Sequence, residues 1–362
     1  MKKISNVLRS VCAAMLACVV VFSAFSCEKS DDVTTGNEIG IPEGEGTLIV
    51  SIATQKEAMT KASADENGVN LLELFVFRNE GSGTGDLDAY KKLEGGSSVS
   101  LSNVEIKSTT GKKLVYAVLN SHNADWSGVK TLSDFQKKLV CLQNEKPGDF
   151  AMAGSAEATL QLTSSVSIEV SRLVAKVQLS SVKCDFSGTP YEGASLTDVK
   201  AYLINVSACK TFAGNSNAST PHILNAKGFV TSDIVACTDP SILYGEIGNS
   251  VGASAVNVGH NFYCYENVIA QETDTDRFTR LVIEGKLNGH KYYYPININR
   301  EGFGYTAEND HKGVKRNTAY SVDVTICRPG STDPDGILEY GDMSATVTIK
   351  DWVTVPQAQV QF

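Results

Sequence analysis

Nucleophiles, carboxylates and imidazoles are scattered along this 362-residue chain rather than gathered. The five histidines, His122, His222, His260, His290 and His311, stand far apart, and none belongs to an H-E-x-x-H pair. No G-x-S-x-G elbow or Walker loop is present, and the Gly-rich stretches GEGTL and GSGTG do not open a helix after a strand. STDPDG, with Asp333 and Asp335, has a faint look of a calcium loop but lacks the closing Glu, so a turn is the better reading. The composition therefore points away from an enzyme and calls for no cofactor and no metal. The net charge of −9 leaves no basic footprint for nucleic acid.

One thiol does stand in a chemical context. MKKISNVLRSVCAAMLACVVVFSAFSC has a basic start, an apolar run and small residues before Cys27, the pattern of a secretory leader over residues 1–26. Removing its three cations, Lys2, Lys3 and Arg9, takes the net charge from −9 to −12. A Cys in this place resembles the lipobox of bacterial lipoproteins, although Ala24 stands where Leu is commoner. The resemblance implies lipid (palmitate-type acyl chains) on Cys27 and an outer-membrane anchor. Each buried CH₂ would contribute about 0.8 kcal/mol to anchoring. Residues 27–45, acidic and Gly/Pro-containing, read as a flexible tether.

Six cysteines lie beyond Cys27, none in a CxxC pair and none at ligand spacing from a His. They read as mostly free and buried, with disulfides possible and their connectivity not legible.

The elements that would position any site are strands. TLIVSIAT alternates, with Leu48, Val50 and Ile52 on one face. LLELFVF is a buried strand, and KKLVYAVL, SIEVSRLVAKVQL, KAYLINV, NFYCY and TAYSVDVTIC are others. KLNGHK places Asn-Gly between two apolar runs, a hairpin signal. The one helical candidate is TLSDFQKKLVCLQN, with Ser133 as its cap and Leu132, Phe135, Leu139 and Leu142 as a core stripe. The pattern predicts an all-β chain of tandem β-sandwiches. Their boundary falls near residues 171–178, giving an N-terminal domain over 46–172 and a C-terminal domain over 173–362.

The chain ends on a greasy strand. Val347 and Ile349 share a face with Val353 and Val355, Pro356 breaks the register, and Val360 and Phe362 continue on the other parity. Two short strands joined at a kink are expected.

Several stretches together resemble the fimbrillin family, the major shaft subunits of lipoprotein-derived type V pili. They are VNLLELFVFRNEG, the Arg172-x-x-Ala175-Lys176-Val177 run, NFYCYEN with the hairpin after it, VKRNTAYSVDVTICRPGSTDP, and the tail with Trp352 and Pro356-Gln357. The resemblance implies two transthyretin-like β-sandwiches in a surface fimbrial subunit that mediates adhesion or biofilm formation. It also implies a lipoprotein precursor, cut by a surface protease after a basic residue, and polymerisation by donor-strand exchange with copies of itself and other pilus subunits. Residues 46–61 would hold the removable strand, Leu48, Val50 and Ile52, and the cut. Lys61 before Ala62 fits best and Lys56 second, both being Lys where the family has Arg. The donor would be the tail over 343–362, through Val347, Ile349, Trp352, Val353, Val355, Val360 and Phe362. Two rival readings stay open: a monomeric surface lipoprotein binding glycan or host protein, with Trp126 and Tyr292 to Tyr294 as candidate contacts, and a lipid-retaining anchor or minor component.

Overall fold

In the computed structural model, residues 44–54, 66, 68–95, 100–213, 223–307, 311–336 and 343–351 are described. The first half supplies β1 (Glu45–Thr54), β2 (Leu71–Arg78), β3 (Leu87–Glu94), β4 (Val104–Thr109) and β5 (Gly111–Leu119). The short α1 (Leu132–Gln136), β6 (Leu139–Cys141), β7 (Met152–Leu160) and β8 (Thr163–Arg172) complete it. The second half runs through β9 (Val174–Cys184), β10 (Leu196–Ile204), β11 (Val206–Ser207), β12 (Cys209–Thr211), β13 (Ile223–Leu224) and α2 (Thr231–Val235). It ends with β14 (Tyr244–Val251), β15 (Val256–Tyr265), β16 (Arg280–Leu287), β17 (His290–Asn297), β18 (Thr318–Ile326) and β19 (Met343–Asp351). The chain is all-β with sandwich-like sheets.

The first half builds a seven-stranded sheet in the order β3-β2-β5-β7-β8-β1-β4. β7 and β8 share only two register pairs, Met152 with Arg172 and Ala153 with Ser171, so the sheet turns there. Its two parts face each other across one apolar cluster. Leu72, Leu74, Val76, Val115 and Ala117 come from one side, and Leu48, Val50, Ile52, Val104, Ile106 and Ile168 from the other.

β2 explains its own sequence. Leu72, Leu74 and Val76 enter that cluster, while Phe75 and Phe77 enter a second one that continues through Phe135 and Phe150 to Val174 and Tyr263. A strand buried on both faces needs an unbroken apolar run, which LLELFVF is. Its one carboxylate, Glu73, is 1% exposed and accepts from Tyr90 Oη at 2.6 Å and Trp126 Nε1 at 2.8 Å.

The SIEVSRLVAKVQL run divides at Leu173. β8 ends in the first sheet and β9 begins in the sheet β15-β9-β18-β19, which packs with β14-β10-β16-β17. The Asn-Gly hairpin is present: Asn288 and Gly289 both take positive φ, 50° and 82°, and join β16 to β17 in register.

The helical stretch differs from expectation. α1 has five residues, and its cap is Thr131, not Ser133. Thr131 Oγ1 accepts from Asp134 N while the Asp134 carboxylate accepts from Thr131 N, a capping box. The chain then turns into β6, which pairs with β12, and Cys141 forms a disulfide with Cys209. That pairing ends the helical period and leaves Leu139 exposed. Cys184, Cys237 and Cys264 are free and buried, and Cys327 is free and half-buried.

Candidate assembly site

β1 is interior to its sheet. It runs parallel to β8 from Thr47 opposite Thr163 to Thr54 opposite Val170, and antiparallel to β4 from Glu45 opposite Thr109 to Val50 opposite Val104. Alternation turns Leu48 and Val50, both 0% exposed, and Ile52, 8% exposed, into the core. Gly46 allows the close approach of the β7–β8 hairpin, since a Cβ there would meet Gln161 O at 2.1 Å. Burying three such side chains contributes roughly 5–9 kcal/mol before ordering costs. Withdrawing β1 would strip both β4 and β8 of a ladder partner and open an apolar groove between them.

Downstream of β1, Lys56, Lys61 and Ala62, the expected cut, lie outside the described residues, as does Cys27, the expected lipid site. Glu66, further along the chain, is 1% exposed. Its carboxylate accepts from Lys176 Nζ at 2.9 and 3.1 Å and from Tyr263 Oη at 2.6 Å. Its carbonyl accepts from Arg172 Nε and Nη2, each at 3.4 Å. Burial pulls the Arg172 guanidinium down to about 10, with Glu66 opposing the shift. Arg172 and Lys176 belong to the junction run quoted above, and Tyr263 belongs to NFYCYEN. These motif residues therefore converge on one residue, Lys176 and Tyr263 on the Glu66 carboxylate and Arg172 on its carbonyl.

The lead-in to β2 is held at further points. Asn120 Nδ2 donates to Gly68 O at 2.8 Å, and Asn70 N donates to Asn120 Oδ1 at 2.9 Å.

The first part of the tail is at home. β19 pairs antiparallel with β18 from Met343 opposite Ile326 to Asp351 opposite Thr318. Val347, 6% exposed, and Ile349, half-buried, pack on the second-half core. In the single chain these two residues complete their own sheet. Trp352, Val353, Val355, Val360 and Phe362 lie outside the described residues. The register brings the end of β19 back to the seam between the halves. Tyr263 pairs with Lys176, Lys176 with Ala319, and Ala319 with Lys350, so one cross-strand row links the Glu66 anchor to the end of β19.

The turn before β19 is pinned from below. Asp335, 5% exposed, accepts from Arg277 Nη2 at 2.6 Å, from Arg280 Nη1 and from Asn205 Nδ2 at 2.9 Å. Its oxygens are committed to guanidinium and amide donors, so STDPDG is a pinned turn, with Asp333 Oδ1 accepting from Asp335 N at 3.0 Å.

Of the aromatic candidates for glycan binding, Trp126 and Tyr294 are committed to packing, and Tyr292 and Tyr293 are half-buried. Trp126 donates to Glu73 and stacks on Phe135, while Tyr294 is fully buried. Glu66 and Asp335 were not readable as anchors, because a single acid in a polar loop carries no pattern. The even number of thiols was the one hint of the Cys141–Cys209 bond.

Comparison with known proteins agrees with this architecture. The family model described as major fimbrial subunit protein (FimA) matches residues 47–176, from β1 to the start of β9. The major fimbrium subunit FimC of Porphyromonas gingivalis is 26% identical over 347 residues, covering 93% of this chain and 69% of that protein. Among solved structures, a putative cell adhesion protein from Parabacteroides distasonis aligns with a TM-score of 0.64 at 17% identity, over 87% of this chain and 99% of that one. A fimbrilin from Porphyromonas gingivalis aligns with a TM-score of 0.61 at 18% identity, over 86% and 99%. The two structures share the fold.

Proposed function

We propose that this chain, a relative of the fimbrial structural subunits and not an enzyme, is exported as a lipoprotein through Cys27, cut behind β1 and polymerised by donor-strand exchange. The coarser part, a structural subunit of a cell-surface fimbrium, follows from the sequence relatives. The finer part is supported above all by one observation. The strand nearest the lipid-bearing end is an interior strand with its apolar face in the core, so losing it leaves a groove that only another strand can fill.

The far end of the chain has a matching pattern. Ala358, Val360 and Phe362 repeat the alternate spacing of Leu48, Val50 and Ile52. Residues 352–362 are one residue longer than the ten of β1 and follow the home-paired strand in sequence. Donating Val347 and Ile349 as well would require β18 to release β19, whereas donating Trp352, Val353, Val355, Val360 and Phe362 would not. An incoming strand would restore the ladders of β4 and β8 and refill the apolar positions. A head-to-tail contact of this kind does not close on itself and extends into a filament. The subunit's partners are then copies of itself and other pilus subunits, with the outer membrane holding the precursor and a surface protease releasing it.

Mass spectrometry of the protein isolated from surface filaments tests this reading. The mature chain is expected to begin at Ala62, or after Lys56. A chain that begins at acylated Cys27 in assembled filaments would overturn the processing step and leave the lipid-retaining readings.

A further inference from the structure

We propose that Glu66 is a positioning residue for assembly: its carboxylate and carbonyl anchor the start of the processed subunit to the seam, holding the end of the groove wall when β1 departs. The inference rests on the reading that the chain is cut behind β1, and it adds the residue that makes such a cut tolerable.

The argument is one of tethering. In the uncut chain Glu66 is joined covalently to β1 on one side and to β2 on the other. A cut between β1 and Glu66 leaves it joined on one side only, and new chain ends fray unless something ties them down. Glu66 is the first described residue after the loop, and its ties reach three strands. Arg172 closes β8, Lys176 lies on β9 and Tyr263 on β15. β8 is one wall of the β1 site, and the last β1 pair, Thr54 with Val170, lies two residues before Arg172. Once β1 has gone, that end of β8 keeps a ladder partner on one side only, β7 at Ser171 and Arg172. The Arg172 contacts to Glu66 O are then what joins it to the lead-in of β2. The carboxylate, on Lys176 and Tyr263, ties the same point to the second-half sheet. The groove is thereby held open at a fixed length for the incoming strand.

The test compares cut and uncut protein. A site-specific protease sequence is placed between Lys56 and Lys61, and hydrogen exchange is followed by mass spectrometry in the wild type, Glu66→Gln and Glu66→Ala. Wild-type protein is expected to keep its protection at residues 68–72 and 168–176 after cutting. Uncut Glu66→Ala is expected to stay within threefold of wild type, and cut Glu66→Ala to exchange at least tenfold faster there. Glu66→Gln, which keeps an acceptor for Tyr263 but not the charge facing Lys176, is expected to fall between them; it carries the comparison if Glu66→Ala does not fold. Equal protection in cut wild-type and cut variant protein would overturn the proposal. So would a loss already complete in the uncut variant, which would mark Glu66 as ordinary core.

Filament formation by the wild type, viewed by electron microscopy, is scored separately. Filaments with an unaffected cut variant remove the anchor and leave donor-strand exchange standing. A frayed cut variant without wild-type filaments does the reverse.

Discussion

Gly304 makes room for Val347. Gly304 sits at φ +85°, and a Cβ on it would meet both Cβ and O of Val347 at 2.6 Å. The home docking of β19 therefore depends on an absent side chain on a neighbouring loop. Gly304→Ala adds that clash to a left-handed backbone strain of about 1–2 kcal/mol. The variant is expected to loosen β19, with faster exchange at residues 343–351 and faster filament growth if release of the tail limits assembly. Unchanged exchange at β19 would show that the loop yields instead.

In the proposed assembly Leu48 belongs to the precursor and not to the polymer. It is fully buried in the first-half core. Leu48→Ala is expected to cost the precursor about 2–5 kcal/mol in urea unfolding. Once assembled, the same variant is expected to match wild-type filaments, because β1 is no longer part of them. A filament destabilised as much as the precursor would mean that β1 is retained.

Asp88 gives the first sandwich an acid limit. Burial alone would raise its carboxyl, but hydrogen bonds from Lys113, Ser108 and Thr109 outweigh that and hold it well below the usual range. Asp88 Oδ2 lies 2.8 Å from Lys113 Nζ, 2.5 Å from Ser108 Oγ and 2.7 Å from Thr109 Oγ1. A depressed carboxylate stabilises the fold above its unfolded pKa, about 3.9, and that share is lost as pH falls through the folded value. Urea midpoints are expected to drop below pH 4 in the wild type. Asp88→Asn is expected to be less stable at pH 7, and its pH dependence flatter below 4. A slope identical to the wild type would assign the acid limit to other groups.

The Cys141–Cys209 bond ties β6 of the first half to β12 of the second across a sequence separation of 68. Closing a loop of that size restricts the unfolded chain by about 4 kcal/mol in the chain-entropy model. Cys141→Ser is expected to lower the unfolding free energy by up to that amount. Dithiothreitol should do the same to the wild type and leave the variant unmoved. No change on reduction would mean that the two thiols are not joined in the folded protein.

Much of the fold was legible because its signals are local. Asn288-Gly289 had to be a tight hairpin, since both residues take positive φ and few side chains do so without strain. The alternation in TLIVSIAT gave Leu48, Val50 and Ile52 as core residues, and LLELFVF had to be buried on both faces. Leu132, Phe135, Leu139 and Leu142 fit a helical period, yet α1 ends at Gln136. A long-range pairing with Cys209–Thr211, distant in sequence, draws residues 139–141 into a strand instead. The candidate site was half legible for the same reason. β1 and the tail announce themselves by apolar periodicity. Glu66, Asp335 and Gly304 matter through partners from 43 to 197 positions away or through open space, neither of which leaves a periodic trace.

The central claim is that a neighbour's tail occupies the place of β1. Filaments grown from a mixture of two subunits, one carrying Val360→Cys and the other Val166→Cys, the β8 partner of Val50, address it directly through mass spectrometry of the oxidised, digested product. A disulfide joining residue 360 of one chain to residue 166 of another is the predicted result. Filaments that form normally and show that link only within single chains, or not at all, would contradict it.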